Sequence, residues 1–144
     1  MQLQGIEHVW QIGRFEQRVQ LDMDLKQQRL KRNKGWLSED IKLYQKFYSD
    51  SAARLQKHEG VDQELKEILH DCSEELRDNV KSRIEATRKE IEKDRKLVNT
   101  HKQHAEKSLK EFIEVERLEK EIQRQIGLIR NQCAVRREKF RATR

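Results

Sequence analysis

From Val61 to Phe140 the apolar residues recur at steps of three, four and seven, and nearly everything between them is charged or polar. Val61, Leu65, Ile68, Cys72, Leu76, Val80, Ile84, Ile91 and Val98 set the pattern. Ala105, Leu109 and Phe112 continue it, and Ile122, Ile126, Ile129, Cys133 and Phe140 carry it onward. This spacing puts one residue per turn on a single face of an α-helix. So narrow a stripe suits the seam between paired helices, whereas a globular core needs a broader apolar face. Steps around Ile84, Val115 and Leu118 depart from strict heptads, so the expected supercoil is imperfect or local. Glu85–Lys89, Glu92–Lys96, Glu106–Lys110 and Glu116–Lys120 stand at i,i+4 in the favourable order, each contributing roughly 0.2–0.5 kcal/mol to a helix.

Composition decides between a long helix and a disordered chain. The charged fraction of 40% and the hydrophobic fraction of 34% would fit disorder. Proline is absent, however, and only five glycines occur. Disordered chains are commonly rich in both, and helix interiors exclude them. Together with the periodicity, this predicts an all-α protein: a long coiled-coil-like helix with a shorter antiparallel helical N-terminal part.

Two glycines suggest boundaries. Lys34-Gly35-Trp36-Leu37-Ser38 reads as a helix end followed by a cap, with Glu39 and Asp40 in the next first turn. Gly60, followed by Asp62, reads in the same way. The expected division is therefore 1–60, with a helix to about 34 and another over about 38–59, and 61–144, a charged helix with a basic end. In the first helix, Ile12, Phe15, Val19 and Met23 share one face, and Gly5 and Gly13 predict a frayed start. In the second, Leu37, Ile41, Tyr44, Tyr48 and Leu55 form the stripe, and Phe47 broadens it. A break at 99–100 is the alternative to a continuous helix: Asn99 can cap a helix end, and Thr100-His101-Lys102-Gln103 fits a capping box. Folding there would set Cys72 level with Cys133. The continuous helix is favoured because no glycine or proline enforces a turn at that point.

Charge is unevenly placed. The net charge is +6; residues 124–144 alone hold seven basic and one acidic side chain. Arg130, Arg136, Arg137, Lys139, Arg141 and Arg144 are the candidate contacts to a polyanion: an acidic protein surface such as a filament, a nucleic acid, or an anionic lipid. A membrane-surface helix is the weakest of these, because few bulky apolar residues oppose the basic ones.

Candidate chemistry is thin. Glu67-Ile68-Leu69-His70 is a single E-x-x-H, where a di-iron bundle uses two plus further glutamates. His101 and His104 could share a metal, yet zinc sites need three or four ligands, and Lys102 and Lys107 stand beside them. Cys72 and Cys133 fall on stripe positions, where cysteine acts as a small hydrophobe. No phosphate loop or nucleophile elbow is present. The sequence thus implies no catalytic site, cofactor or metal. Neither a signal peptide nor a membrane span is expected, which predicts an intracellular, cytoplasmic placement, with cytoskeletal association or a nuclear location as variants.

The function implied is that of a structural or adaptor protein working through helix–helix association. The partner interface would be Leu65, Ile68, Cys72, Leu76, Val80, Ile84, Ile91, Val98, Leu109, Phe112, Ile122, Ile126 and Ile129, covered by a second copy or another helical protein. Similar charged helices serve cytoskeletal and ciliary proteins. The alternative is a sequence-nonspecific nucleic-acid-binding protein using the basic end.

Overall fold

The computed structural model describes residues 9–142. They form two α-helices, α1 (Val9–Asp71) and α2 (Glu74–Ala142), packed against each other, with no strand among the described residues. The all-α expectation holds. The N-terminal helix is the shorter one, though only slightly: α1 has 63 residues and α2 has 69.

Helix boundaries differ from the sequence reading. Gly35 and Gly60 lie inside α1, and Asn99–Gln103 lies inside α2. Isolated helical glycines cost only about 1 kcal/mol each. Seam residues on both sides, Leu30 and Leu37 around Gly35 and His58 and Leu65 around Gly60, carry the helix across them. The chain reverses instead at Cys72 and Ser73. Ser73 occupies the N-cap position, its carbonyl accepting from the Leu76 amide at 3.2 Å. Glu74 and Glu75 stand in the positive first turn of α2, and His70 in the negative last turn of α1. Of the frayed start expected at Gly5 and Gly13, Gly13 is helical and Gly5 lies outside the described residues.

The described chain forms two compact units. One comprises the described residues of Met1–Leu37 and Glu111–Arg144; the other is Ser38–Lys110, which contains the turn. In the first, α1 and α2 run antiparallel: Glu16 meets Arg137, Gln20 meets Arg130, and Lys34 meets Glu116 and Glu119. In the second they are again antiparallel, with Tyr44 against His104, Phe47 against His101, His58 against Asp94 and Glu59 against Arg95.

Burial reveals a stricter repeat than the apolar residues alone suggest. On α2 the covered positions step by four and three without interruption from Val80 to Phe140. The series runs through Ile84, Thr87, Ile91, Asp94, Val98, His101, Ala105, Ser108, Phe112, Val115, Glu119, Ile122, Ile126, Ile129, Cys133 and Arg136. This is the period of a left-handed supercoil. Heptads look broken in the sequence because Thr87, Asp94, His101, Ser108 and Glu119 are polar members of the seam. The α1 seam follows the same steps, with one pair of fours at Val19–Met23–Gln27 that relaxes the supercoil locally.

Candidate functional site

The stripe expected to await a partner is mostly covered by the pairing of the chain's own α1 and α2, with Leu65 on the α1 side of the seam. Leu65, Ile84, Ile91, Ile122 and Ile126 are buried, and Cys72, Val80, Val98, Phe112 and Ile129 are half-buried. Three candidates fall outside the seam: Ile68, Leu76 and Leu109 are exposed. Leu109 yields its expected place to Ser108, which is buried. Ile12, Val19, Leu37, Val115 and Cys133 complete the buried apolar set.

In the seam of the second unit, one pair of polar side chains bonds directly across the helices. His58 Nδ1 and Asp94 Oδ2 lie 2.5 Å apart, and Asp94 is only 2% exposed. Ser51, also buried, donates to the Phe47 carbonyl at 2.7 Å. The rings of Tyr44 and His104 stack at 4.9 Å, and His101 packs against Phe47 at 5.4 Å. The two histidines that might have shared a metal thus engage different aromatic rings of α1. No group of three or more His, Cys, Asp or Glu side chains is placed to hold a metal ion among the described residues.

The cysteines are not paired. Cys72 sits in the turn, its thiol directed to the Leu69 carbonyl at 3.6 Å. Cys133 is fully buried, and its neighbour across the seam is Glu16, not Cys72. Burial first, and then the Glu16 carboxylate, push the Cys133 thiol up to about 11. It is therefore an inert core thiol at neutral pH.

The basic end is less bare than its sequence suggests. Arg130 donates to Gln20 at 3.0 Å, and Arg137 pairs with Glu16 at 2.9 Å. Arg136 lies over the Phe140 ring, and Arg141 pairs with Glu138 at 3.2 Å. Lys139 is also engaged in the structure. Arg144 lies outside the described residues. An exposed pair such as Arg141–Glu138 is worth about 0–1 kcal/mol. Farther along α2, Glu114–Arg117 and Glu121–Arg124 pair at i,i+3; each carboxylate is held below its usual range by hydrogen bonding to its arginine.

Counting charge by unit gives a sharper division than counting along the chain. Ser38–Lys110 holds 16 basic and 16 acidic side chains. Met1–Leu37 with Glu111–Arg144 holds 16 basic and 10 acidic ones, the whole net charge of +6. The Lys26–Lys34 stretch of α1 contributes five basic side chains and no acidic one, nearly matching the seven and one of residues 124–144.

One flank of the basic unit is apolar at its floor. Val19, Met23 and Leu25 of α1 and Leu128 and Ile129 of α2 line a groove of about 600 Å³, bordered by Asp22, Lys26, Arg29, Gln125 and Gln132. Leu128 and Gln132 also line an adjoining depression with Val135, Arg136 and Lys139. Leu25, Leu128 and Val135 are 48%, 46% and 57% exposed. No helix among the described residues is long and apolar enough to cross a membrane. No protein-family model, curated protein or solved structure matches the chain.

Proposed function

We propose that this chain is a non-catalytic adaptor that acts through helix–helix association, its neutral unit serving as a self-paired spacer and its basic unit docking an acidic protein surface. The observation that carries this reading is the segregation of charge: the whole net +6 falls in one unit, and the other is neutral. An evenly basic protein would attract polyanions along its entire surface; this one concentrates its field at one unit. The polar seam residues support the non-catalytic part of the reading, since His58 and Asp94 are engaged with each other across the helices. An acidic filament fits the chemistry of such a partner, and a cytoskeletal or ciliary setting is part of the same proposal. Cytoplasmic placement belongs to it too.

The nucleic-acid reading draws on the same +6, yet the basic residues come from two antiparallel helices and form no base-reading motif. Capture from native cells with the full chain, before and after nuclease treatment, tests the choice. Retention of an acidic protein partner after nuclease is the expected result. Loss of every partner on nuclease treatment would replace the adaptor reading with nucleic-acid binding.

A further inference from the structure

Exposed apolar side chains scattered on a helix need no explanation, but those on one flank of the basic unit are contiguous and framed by like charge. The groove floor is Val19, Met23, Leu25, Leu128 and Ile129, and Val135 extends it along α2. Its borders carry Lys26 and Arg29 on α1 and Arg136 and Lys139 on α2, against one carboxylate, Asp22. From Gln125 to Lys139 the α2 edge runs for about 20 Å at 1.5 Å per residue, roughly four helical turns. The opposite flank is different: around Leu21 it presents Glu16 and Asp24 as well as Arg130, and Arg130 is bonded to Gln20. Charge and apolar surface therefore coincide on one side only.

We infer that this groove receives an amphipathic helix with acidic flanks, laid along the Leu25–Leu128–Val135 floor between the lysine and arginine borders. The inference rests on the adaptor reading and gives its partner a chemistry. A helix in a groove is read through apolar anchors at i, i+3, i+4 and i+7, and four turns provide two such sets. Charge selects the occupant. A second copy would bring its own +6 unit against this one, or its neutral unit, and neither complements the basic borders. A nucleic acid would engage the borders and make no use of Leu25, Leu128 or Val135.

The test uses the full chain and fluorescently labelled synthetic helices of about four turns. One has a leucine stripe flanked by glutamates, one has the same stripe flanked by lysines, and one is the glutamate peptide scrambled to remove the stripe. Duplex DNA and anionic phospholipid vesicles serve as further probes. Binding of the glutamate-flanked helix, with the other two peptides at least about tenfold weaker, is the expected result. Leu128→Glu and Val135→Glu should each weaken it about tenfold or more, and so should the double variant Lys26→Glu/Arg29→Glu. Leu43→Glu, an equally exposed leucine in the other unit, should leave it unchanged. Circular dichroism confirms that each variant is folded, which the exposure of these side chains favours. If the scrambled peptide, DNA or vesicles bind as tightly as the glutamate-flanked helix and Leu128→Glu has no effect, the groove inference falls and only a diffuse electrostatic contact stands. Failure of every acidic probe to bind would overturn the docking role of the basic unit as well.

Discussion

Replacing His58 and Asp94, singly and together, should give an unequal cycle. Asp94 is 2% exposed and His58 Nδ1 is its partner at 2.5 Å, while the His58 side chain keeps 27% of its surface. His58→Leu leaves a carboxylate buried and unpaired between Ile91 and Val98, at a cost of about 3–5 kcal/mol. Asp94→Leu leaves an imidazole that can still reach water, so the loss is nearer the worth of one hydrogen bond, about 1 kcal/mol. The double variant His58→Leu/Asp94→Leu removes both polar groups from a seam already built from Leu55, Leu65, Ile91 and Val98. It should match the parent or exceed it by about 1–4 kcal/mol. Chemical denaturation followed by circular dichroism measures all four proteins. The reasoning is refuted if the two single losses are equal and add in the double variant, because the two side chains would then be energetically independent.

Gly35→Ala and Gly60→Ala should each raise stability by about 0.5–1 kcal/mol in the same assay, since both glycines are mid-helix and an added Cβ meets nothing within 4 Å. Ile126→Ala should cost about 2–4 kcal/mol, but Leu128→Ala, two residues on and 46% exposed, less than about 1 kcal/mol. At neutral pH, iodoacetamide should label Cys72 well before Cys133, as followed by mass spectrometry. Raising the pH from about 9 to about 11 should destabilise the fold through Cys133: its thiol stays protonated in the folded state across that window and ionises in the unfolded chain. The thermal midpoint should be independent of protein concentration, because α1 already covers the seam of α2.

Much of the helix pairing is legible in the residues, and what is missed has definite causes. Ile84 and Ile91, seven apart, and Ile122 and Ile126, four apart, mark the seam because such spacings put isoleucines on one face of an otherwise charged helix. Between them the seam passes through Asp94, His101 and Ser108, and a reading that follows apolar residues drifts to Leu109 instead. Whether such polar groups can be covered depends on the facing helix, where His58 and Phe47 receive Asp94 and His101. The turn is missed for a related reason. Glycine is a strong local signal at 35 and 60, yet local signals cost about 1 kcal/mol, and a long matched seam outweighs them. Ser73-Glu74-Glu75 is the cap that marks the reversal, and it is as readable as any other once the pairing requires a turn there. The surroundings of the basic end lie far away in sequence: Glu16, about 120 residues earlier, sits against Arg137, and Lys26 and Arg29 join the same unit from α1.

The central claim is that α1 and α2 pair within one chain, in a register that sets Tyr44 beside His104 with ring centres 4.9 Å apart. In a background carrying Cys72→Ser and Cys133→Ala, the pair Tyr44→Cys/His104→Cys can be treated with a short bismaleimide at high dilution. The pair Tyr44→Cys/Lys81→Cys, in the same unit but far out of register, is the control. The account predicts an intramolecular cross-link in nearly every Tyr44→Cys/His104→Cys molecule and almost none in the control. Cross-linked dimers in place of cross-linked monomers, or equal yields from the two pairs, would contradict it.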